Sequence, residues 1–107
     1  MRRLPVFFVL DCSESMIGDN LKKMNDGLQM IVSDLRKDPH ALETAWISVI
    51  AFAGIARTIV PLHEVLSFYP PRLPVGSGTN LGAALRELMT QIDTQVRKTT
   101  VERKGDW

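Results

Sequence analysis

Residues 6–10 read Val-Phe-Phe-Val-Leu and run directly into a polar turn, Asp-Cys-Ser-Glu-Ser, at residues 11–15. A strand with one face in water alternates apolar and polar side chains, whereas this run is apolar at every position. The stretch therefore predicts a strand that is covered on both faces, as is usual in a parallel sheet, with a short polar turn at its carboxyl end.

An amphipathic helix is predicted after this turn, because apolar residues recur at intervals of three and four and so share one helical face. These residues are Ile17, Leu21, Met24, Leu28, Ile31 with Val32, and Leu35. Asp38-Pro39 is expected to end the helix, since the residue before a proline is pushed out of helical geometry.

A second strand and a hairpin follow. Residues 45–53 are again apolar on both faces, and residues 56–60 pair with them after a turn at Gly54-Ile55. Pro61 is expected to close this third strand. The proline- and glycine-rich residues 61–78 predict a long loop with one helical turn near residues 63–66, and a loop of this length is usually functional.

The last predicted element is a second amphipathic helix that begins after Asn80 as its N-cap. Its apolar positions are Leu81, Leu85, Leu88, Ile92 and Val96. The order is therefore strand, helix, strand, strand, loop, helix. A strand–helix–strand unit is right-handed with a parallel strand pair, so we expect an α/β layered fold with an antiparallel strand at one edge.

Composition limits the classes of protein to consider. The 107 residues predict one domain over residues 1–107, and 13 Lys and Arg against 12 Asp and Glu leave a net charge of +1, which does not suit nucleic-acid binding. No apolar run approaches the roughly 20 residues of a membrane span. Cys12 is the only cysteine, which excludes an internal disulfide and a cysteine-based zinc site and favours a cytoplasmic location.

The turn after the first strand is the first candidate site. Asp11, Ser13 and Ser15 alternate along it, so three side-chain oxygens can point to one spot at the carboxyl end of a strand, where open α/β sheets bind ligands. Such oxygens suit a hard divalent cation such as Mg²⁺. The alternative is that a serine only caps the following helix while Asp11 accepts bonds from nearby amides.

The second candidate is the glycine-rich segment 76–82, Gly-Ser-Gly-Thr-Asn-Leu-Gly. It lacks the glycine spacing of a dinucleotide-binding loop and the lysine of a phosphate-binding loop, and no strand precedes it. It predicts a backbone turn that presents the Thr79 hydroxyl before a helix. The alternative is a loop in which Thr79 or Asn80 serves only as an N-cap.

Taken together, the two segments resemble those that build the metal-ion-dependent adhesion site of the von Willebrand factor A domain family. The resemblance covers essentially the whole chain and implies a Rossmann-like three-layer sandwich with a mostly parallel sheet. It implies that Ser13, Ser15 and Thr79 bind Mg²⁺ directly and Asp11 through a water, with Mn²⁺ or Ca²⁺ as substitutes. An acidic residue of a protein partner would fill the sixth coordination position.

The sequence of residues 2–16 and the methionine-containing helix after it are most similar to the bacterial tellurium-resistance members of that family. This resemblance implies a scaffold in the response to tellurite or chemical stress and in phospho-signalling, with a protein phosphatase and a kinase as partners. A bacterial, cytoplasmic protein that binds neither nucleic acid nor membrane is expected.

The family pattern has a fifth ligand, an Asp after a fourth strand, that has no match here. Asp106 near the end of the sequence follows no apolar strand, so it is not assigned that role. The chain is therefore expected to be the amino-terminal part of a longer domain. Its first strand, which is central in the family's sheet, would then lie at an edge, and we expect dimerisation or other self-association through it.

An enzymatic alternative remains. A strand followed by Asp11 is also typical of metal-dependent phosphotransferases with an aspartyl nucleophile, although these carry a second Asp where this chain has Ser13. Cys12 as a phosphatase nucleophile would need an Arg at the position of Gly18. An interaction module without catalysis is the favoured prediction, and a phosphotransferase using Asp11 is the alternative.

Overall fold

A mixed three-stranded sheet forms the centre of the computed structural model, which describes residues 3–97. β1 (Leu4–Asp11) pairs in parallel with β2 (Ala45–Phe52), and β2 pairs antiparallel with β3 (Ala56–Glu64). The sheet order is β1-β2-β3. This arrangement confirms the predicted α/β class and corresponds to part of a Rossmann-like layered fold.

In the described part of the chain, three α-helices accompany the sheet. α1 (Asp19–Lys37) and the short α2 (Pro39–Thr44) connect β1 to β2, and α3 (Leu81–Gln91) continues into a wider helical turn at Ile92–Arg97. α1 packs against one face of the sheet, whereas α3 contacts all three strands. Within residues 3–97, no helix is long and apolar enough to cross a bilayer.

The main core lies between α1, β2 and the segment after β3. Its buried members are Leu28, Val32, Ala45, Ile47, Val49, Val65 and Phe68. Ile50 and Phe52 alternate with Ile47 and Val49 along β2, so their side chains face the opposite side of the sheet. β2 is therefore buried on both faces, as its continuously apolar sequence predicts.

Pro39 begins a helix as well as ending one. α1 ends at Lys37 as predicted, but α2 follows at once and was not anticipated. Asp38 caps α2 because its Oδ1 accepts the N–H of His40 at 2.9 Å. Pro39 stands in the first turn of α2, where no helical bond needs its missing N–H.

The prediction that Pro61 closes the third strand was wrong. β3 continues to Glu64, and the helical turn follows at Val65–Ser67, two residues later than expected. The register of β3 against β2 shifts between the partners of Ile47 and Val49, so Pro61 falls at an irregularity of an edge strand. Edge strands and bulges are the places where a sheet accepts proline.

The helices bury or half-bury most of the predicted apolar positions, but burial differs from the prediction at individual residues. On α1, Val32 is buried and Ile31 is exposed. On α3, Ala84 is fully buried, whereas Leu81 and Leu85 are exposed. Residues 98–107, which include the unassigned Asp106, lie outside the described residues.

Candidate metal centre

The carboxyl end of β1 carries the first three predicted ligands. Asp11 is the last residue of the strand, and its Oδ1 accepts a hydrogen bond from the backbone N–H of Ser13 at 2.9 Å. The Oγ atoms of Ser13 and Ser15 lie 2.9 Å apart. Ser13 is buried and Ser15 is exposed, so the hydroxyl pair reaches from the end of the sheet to the surface.

The spacing of these hydroxyls fits a small, hard cation. Mg²⁺ binds oxygens at about 2.0–2.1 Å in octahedral geometry, so adjacent ligands lie about 2.9 Å apart. The Ser13 and Ser15 hydroxyls share a hydrogen bond of 2.9 Å, a separation that is compatible with this edge length. The donor set present here therefore fits Mg²⁺.

Neither serine takes the alternative role of capping α1. That helix begins at Asp19 after Gly18, and no side chain caps its first turn. Ser13 precedes a single 3₁₀ turn at Glu14–Met16, and its side chain makes no capping bond to the backbone of that turn. The serine hydroxyls are thus directed to each other, and not to the backbone of a helix.

Backbone hydrogen bonds join the second predicted segment to the ends of both parallel strands. Gly76 donates its N–H to the carbonyl of Cys12 after β1, at 3.0 Å. Asn80 donates its N–H to the carbonyl of Ala53 after β2, at 2.7 Å. Thr79 lies between these two anchors in an exposed position, so its loop is held at the same end of the sheet as the serine pair.

The close approach of this loop to the sheet depends on Gly54. The Gly54 N–H donates to the carbonyl of Ser77 at 2.7 Å, and a Cβ at Gly54 would lie 2.7 Å from that same oxygen. Gly78 in the loop has a φ of 80°, which L-residues rarely adopt. The sequence pattern indicated segment 76–82 and a turn at Gly54, but not the contact between them, because only the packed loop shows why no side chain fits at Gly54.

Asn80 is the N-cap of α3, as predicted. Its Oδ1 accepts the N–H of Ala83 at 2.9 Å. Because Asn80 has this role, Thr79 does not cap the helix. Within residues 3–97 the Thr79 hydroxyl makes no hydrogen bond, which distinguishes it from a structural threonine such as Thr44, whose Oγ1 donates to His40 at 2.8 Å.

Cys12 lies between the candidate ligands without being one itself. The thiol is buried, and this burial, together with the neighbouring Asp11 carboxylate, raises its pKa. A thiol that stays protonated is a poor nucleophile and a poor metal ligand. In the part of the chain that the structure describes, no three His, Cys, Asp or Glu side chains converge on a metal position. A cation here would therefore depend on hydroxyl ligands.

Comparison with protein families gives a match over residues 6–103 to the von Willebrand factor type A domain. The matched residues include both segments of the candidate site. A comparison with curated protein sequences gives no match.

Solved structures share the fold at low sequence identity. A mutant of the PilB minor pilin from Streptococcus sanguinis is 18% identical, with a TM-score of 0.71 over 89% of this chain and 27% of that chain. BatB, a conserved hypothetical protein from Bacteroides thetaiotaomicron, is 23% identical, with a TM-score of 0.62 over 87% of this chain and 48% of that one. The type V pili tip protein Mfa5 from Porphyromonas gingivalis, as three amino-terminal domains, is 18% identical, with a TM-score of 0.66 over 89% and 18%.

This likeness is one of fold, and the chain spans less than half the length of each of these solved proteins. The match to the family extends over residues 6–103 and therefore includes nearly all the strands and helices described above. On this basis, the chain belongs to the von Willebrand factor type A domain family.

Proposed function

We propose that the chain is a metal-dependent protein-interaction module. The family is one of protein-interaction domains, and the proposal is that this member binds its partner through a divalent cation at the carboxyl end of β1. Ser13, Ser15 and Thr79 would hold Mg²⁺ through their hydroxyls, and Asp11 through a bound water. The observation that carries the proposal is the serine pair, with oxygens 2.9 Å apart, beside the Asp11 carboxylate.

The ligand chemistry gives the reason for an acidic partner. Hydroxyls are neutral, so an ion that they hold keeps most of its positive charge, and Asp11 is the one charged group in the proposed set. A carboxylate from a partner protein would neutralise that charge and complete the coordination. The bound cation would thus supply the attraction, while the three hydroxyls would fix its position.

Removal of single ligands tests the proposal. Ser13→Ala and Thr79→Ala each delete one oxygen ligand, and each is expected to weaken Mg²⁺ or Mn²⁺ binding by about tenfold or more, which corresponds to about 1.4 kcal/mol. Calorimetric titration of the metal into the 107-residue chain measures the affinity. Circular dichroism is expected to show a native fold in both variants.

Ser77→Ala is the matched control. Ser77 lies in the same exposed loop as Thr79, but its contact with Gly54 is made by the backbone carbonyl, which the substitution keeps. The control is expected to bind metal like the wild type. Unchanged affinity in both Ser13→Ala and Thr79→Ala would contradict the proposed ligand set.

The competing proposal is a phosphotransferase in which Asp11 is the nucleophile. Exposure to beryllofluoride, a phosphate mimic, would then give an adduct on Asp11, and mass spectrometry of the intact chain would detect it. We expect no adduct, in part because Oδ1 of Asp11 already accepts the N–H of Ser13. An adduct that Asp11→Asn abolishes would overturn the binding-module proposal.

The biological setting rests on the resemblance of residues 2–16 to the tellurium-resistance members of the family. We propose a cytoplasmic scaffold in bacterial tellurite or chemical-stress response, with a protein phosphatase and a kinase as partners. Self-association through β1 is likewise a proposal. Thr79→Ala is expected to reduce tellurite resistance where the wild-type gene restores it, and the Ser77→Ala control is expected to leave resistance intact.

A further inference from the structure

Three small surface cavities lead away from the candidate metal centre. The first is lined in part by Cys12, Gly76, Pro74 and Arg57. Its wall includes the point where the two segments of the metal centre meet, because the N–H of Gly76 donates to the carbonyl of Cys12 at 3.0 Å. This cavity therefore lies directly beside the position proposed for the cation.

The three cavities are neighbours and form one groove. Arg57 and Pro74 line both the first cavity and the second, and Arg72 lines both the second and the third. Lys22 of α1 is part of the wall of the third cavity. We call the three cavities together the basic groove, because the charged residues that line it are Lys22, Arg57 and Arg72.

The basic groove concentrates a positive charge that the whole chain does not have. The net charge of the 107 residues is +1, whereas three cations and no Asp or Glu line the groove. Within residues 3–97, none of these three cations forms an ion pair with an acidic side chain. Glu87 of α3 accepts both hydrogen bonds of Thr58 and lines none of the three cavities. The groove is therefore suited to an anion that comes from another molecule.

The backbone holds both arginines in place. Arg57 of β3 lies opposite Ala51 of β2, and partners in register share one face of the sheet. Ala51 alternates in phase with Val49, so this is the face that packs against α1. Arg72 lies in the segment 70–74, Pro-Pro-Arg-Leu-Pro, where proline rings fix φ. Groups presented by a restricted backbone lose less entropy when they bind a ligand.

We infer that the partner is recognised through an extended acidic segment, with one carboxylate at the metal and a second one between Arg57 and Arg72. This inference rests on the proposed function, because the groove begins at the proposed cation. A guanidinium matches the two oxygens of a carboxylate, and two guanidiniums beside one cavity favour an anion between them.

Apolar surface separates the two acid-binding positions. Ile55 and Val75 line the first cavity, and both side chains are exposed. The part of the partner that joins its two carboxylates would lie on these side chains. An apolar centre with charged groups at its margin is the usual arrangement of a protein interface.

Two labelled peptides of equal length test the inference by fluorescence anisotropy with the 107-residue chain in Mg²⁺. One peptide carries a single glutamate among serines, so it can bind only at the metal. The other carries glutamate at every position, so it can also occupy the groove. The all-glutamate peptide is expected to bind about tenfold more tightly than the single-glutamate peptide.

Arg57→Gln and Arg72→Gln each remove one cation of the groove from an exposed position. Each is expected to weaken binding of the all-glutamate peptide about fivefold, while binding of the single-glutamate peptide and the calorimetric Mg²⁺ affinity stay unchanged. Lys37→Gln is the matched control, because it removes the same charge at the end of α1 that is remote from the metal centre. It is expected to bind both peptides like the wild type.

Three results would overturn the inference. They are equal binding of the two peptides to the wild type, including no binding of either; unchanged binding of the all-glutamate peptide in both arginine variants; and an equal loss in Lys37→Gln. Binding that is lost in EDTA but not in the arginine variants would overturn the groove and leave the metal proposal standing. Binding that survives EDTA but weakens in the arginine variants would overturn the metal proposal and leave the groove as the acid-binding site.

Discussion

β1 and β2 have the same apolar character and different burial. In β2 every residue except Trp46 is buried, whereas in β1 Leu4 is exposed and the others are half-buried. Among residues 3–97, β2 lies between two strands, and β1 has a strand on one side only. The sequence of a strand therefore indicates how much burial the strand can accommodate, whereas the position of the strand in the sheet determines how much of it is buried.

The largest expected effect tests this comparison directly. Val49→Ala in β2 removes two methyl groups from a fully buried position, and is expected to lower the free energy of unfolding by about 2 kcal/mol. Val9→Ala in β1 removes the same groups from a half-buried position and is expected to cost about half as much. Urea denaturation of dilute, monomeric chain measures both. Equal losses would mean that β1 is as well covered in solution as β2.

The ends of the two strands give the second prediction. Gly54→Ala would bring a Cβ within 2.7 Å of the Ser77 carbonyl oxygen. The loop at residues 76–82, which hydrogen-bonds to the residues that follow β1 and β2, must therefore shift. We expect a loss of about 1–2 kcal/mol in unfolding free energy. Hydrogen exchange at the Gly76 and Asn80 amides is expected to become faster. Unchanged exchange at both amides would show that the loop does not depend on this contact.

The third prediction concerns β3, which covers the side of β2 away from β1. Glu87→Ala removes the acceptor of both Thr58 hydrogen bonds and is expected to lower the free energy of unfolding by about 1 kcal/mol. Glu43→Ala, at an exposed position of α2, is the matched control and is expected to have little effect. Equal stability of the two variants would mean that Glu87 does not close the β3 edge.

The smallest expected effect is stabilising. Gly27→Ala lies within α1, the helix over one face of β2, and a Cβ there meets no atom within 4 Å. Alanine is expected to raise the free energy of unfolding by about 0.5–1 kcal/mol, because glycine loses more backbone entropy in a helix. Thermal and urea unfolding measure the gain. A loss of stability would contradict the open space described at this position.

Much of the candidate site was accessible from sequence, since its residues act within short segments. Asp11, Ser13 and Ser15 lie within five consecutive positions, and the hydrogen bond from Ser13 to Asp11 joins residues only two positions apart. The role of Gly54 was not accessible, because it depends on Ser77, which is distant along the chain. Arg36 on α1 likewise donates to backbone carbonyls after β3, a contact that no local pattern indicates.

The sequence by itself determined the strands β1 and β2, the length of α1, the Asn80 cap and the two segments of the candidate site, because hydropathy, caps and turns act over a few residues. Only the tertiary structure decided which apolar positions of the helices stay exposed, how far β3 runs past Pro61, and how the side chain of Glu87 closes the β3 edge. Those outcomes depend on groups distant in sequence that meet only when the layers pack. A local sequence pattern indicates the secondary structure and burial that a segment favours, whereas packing determines which neighbours the segment contacts.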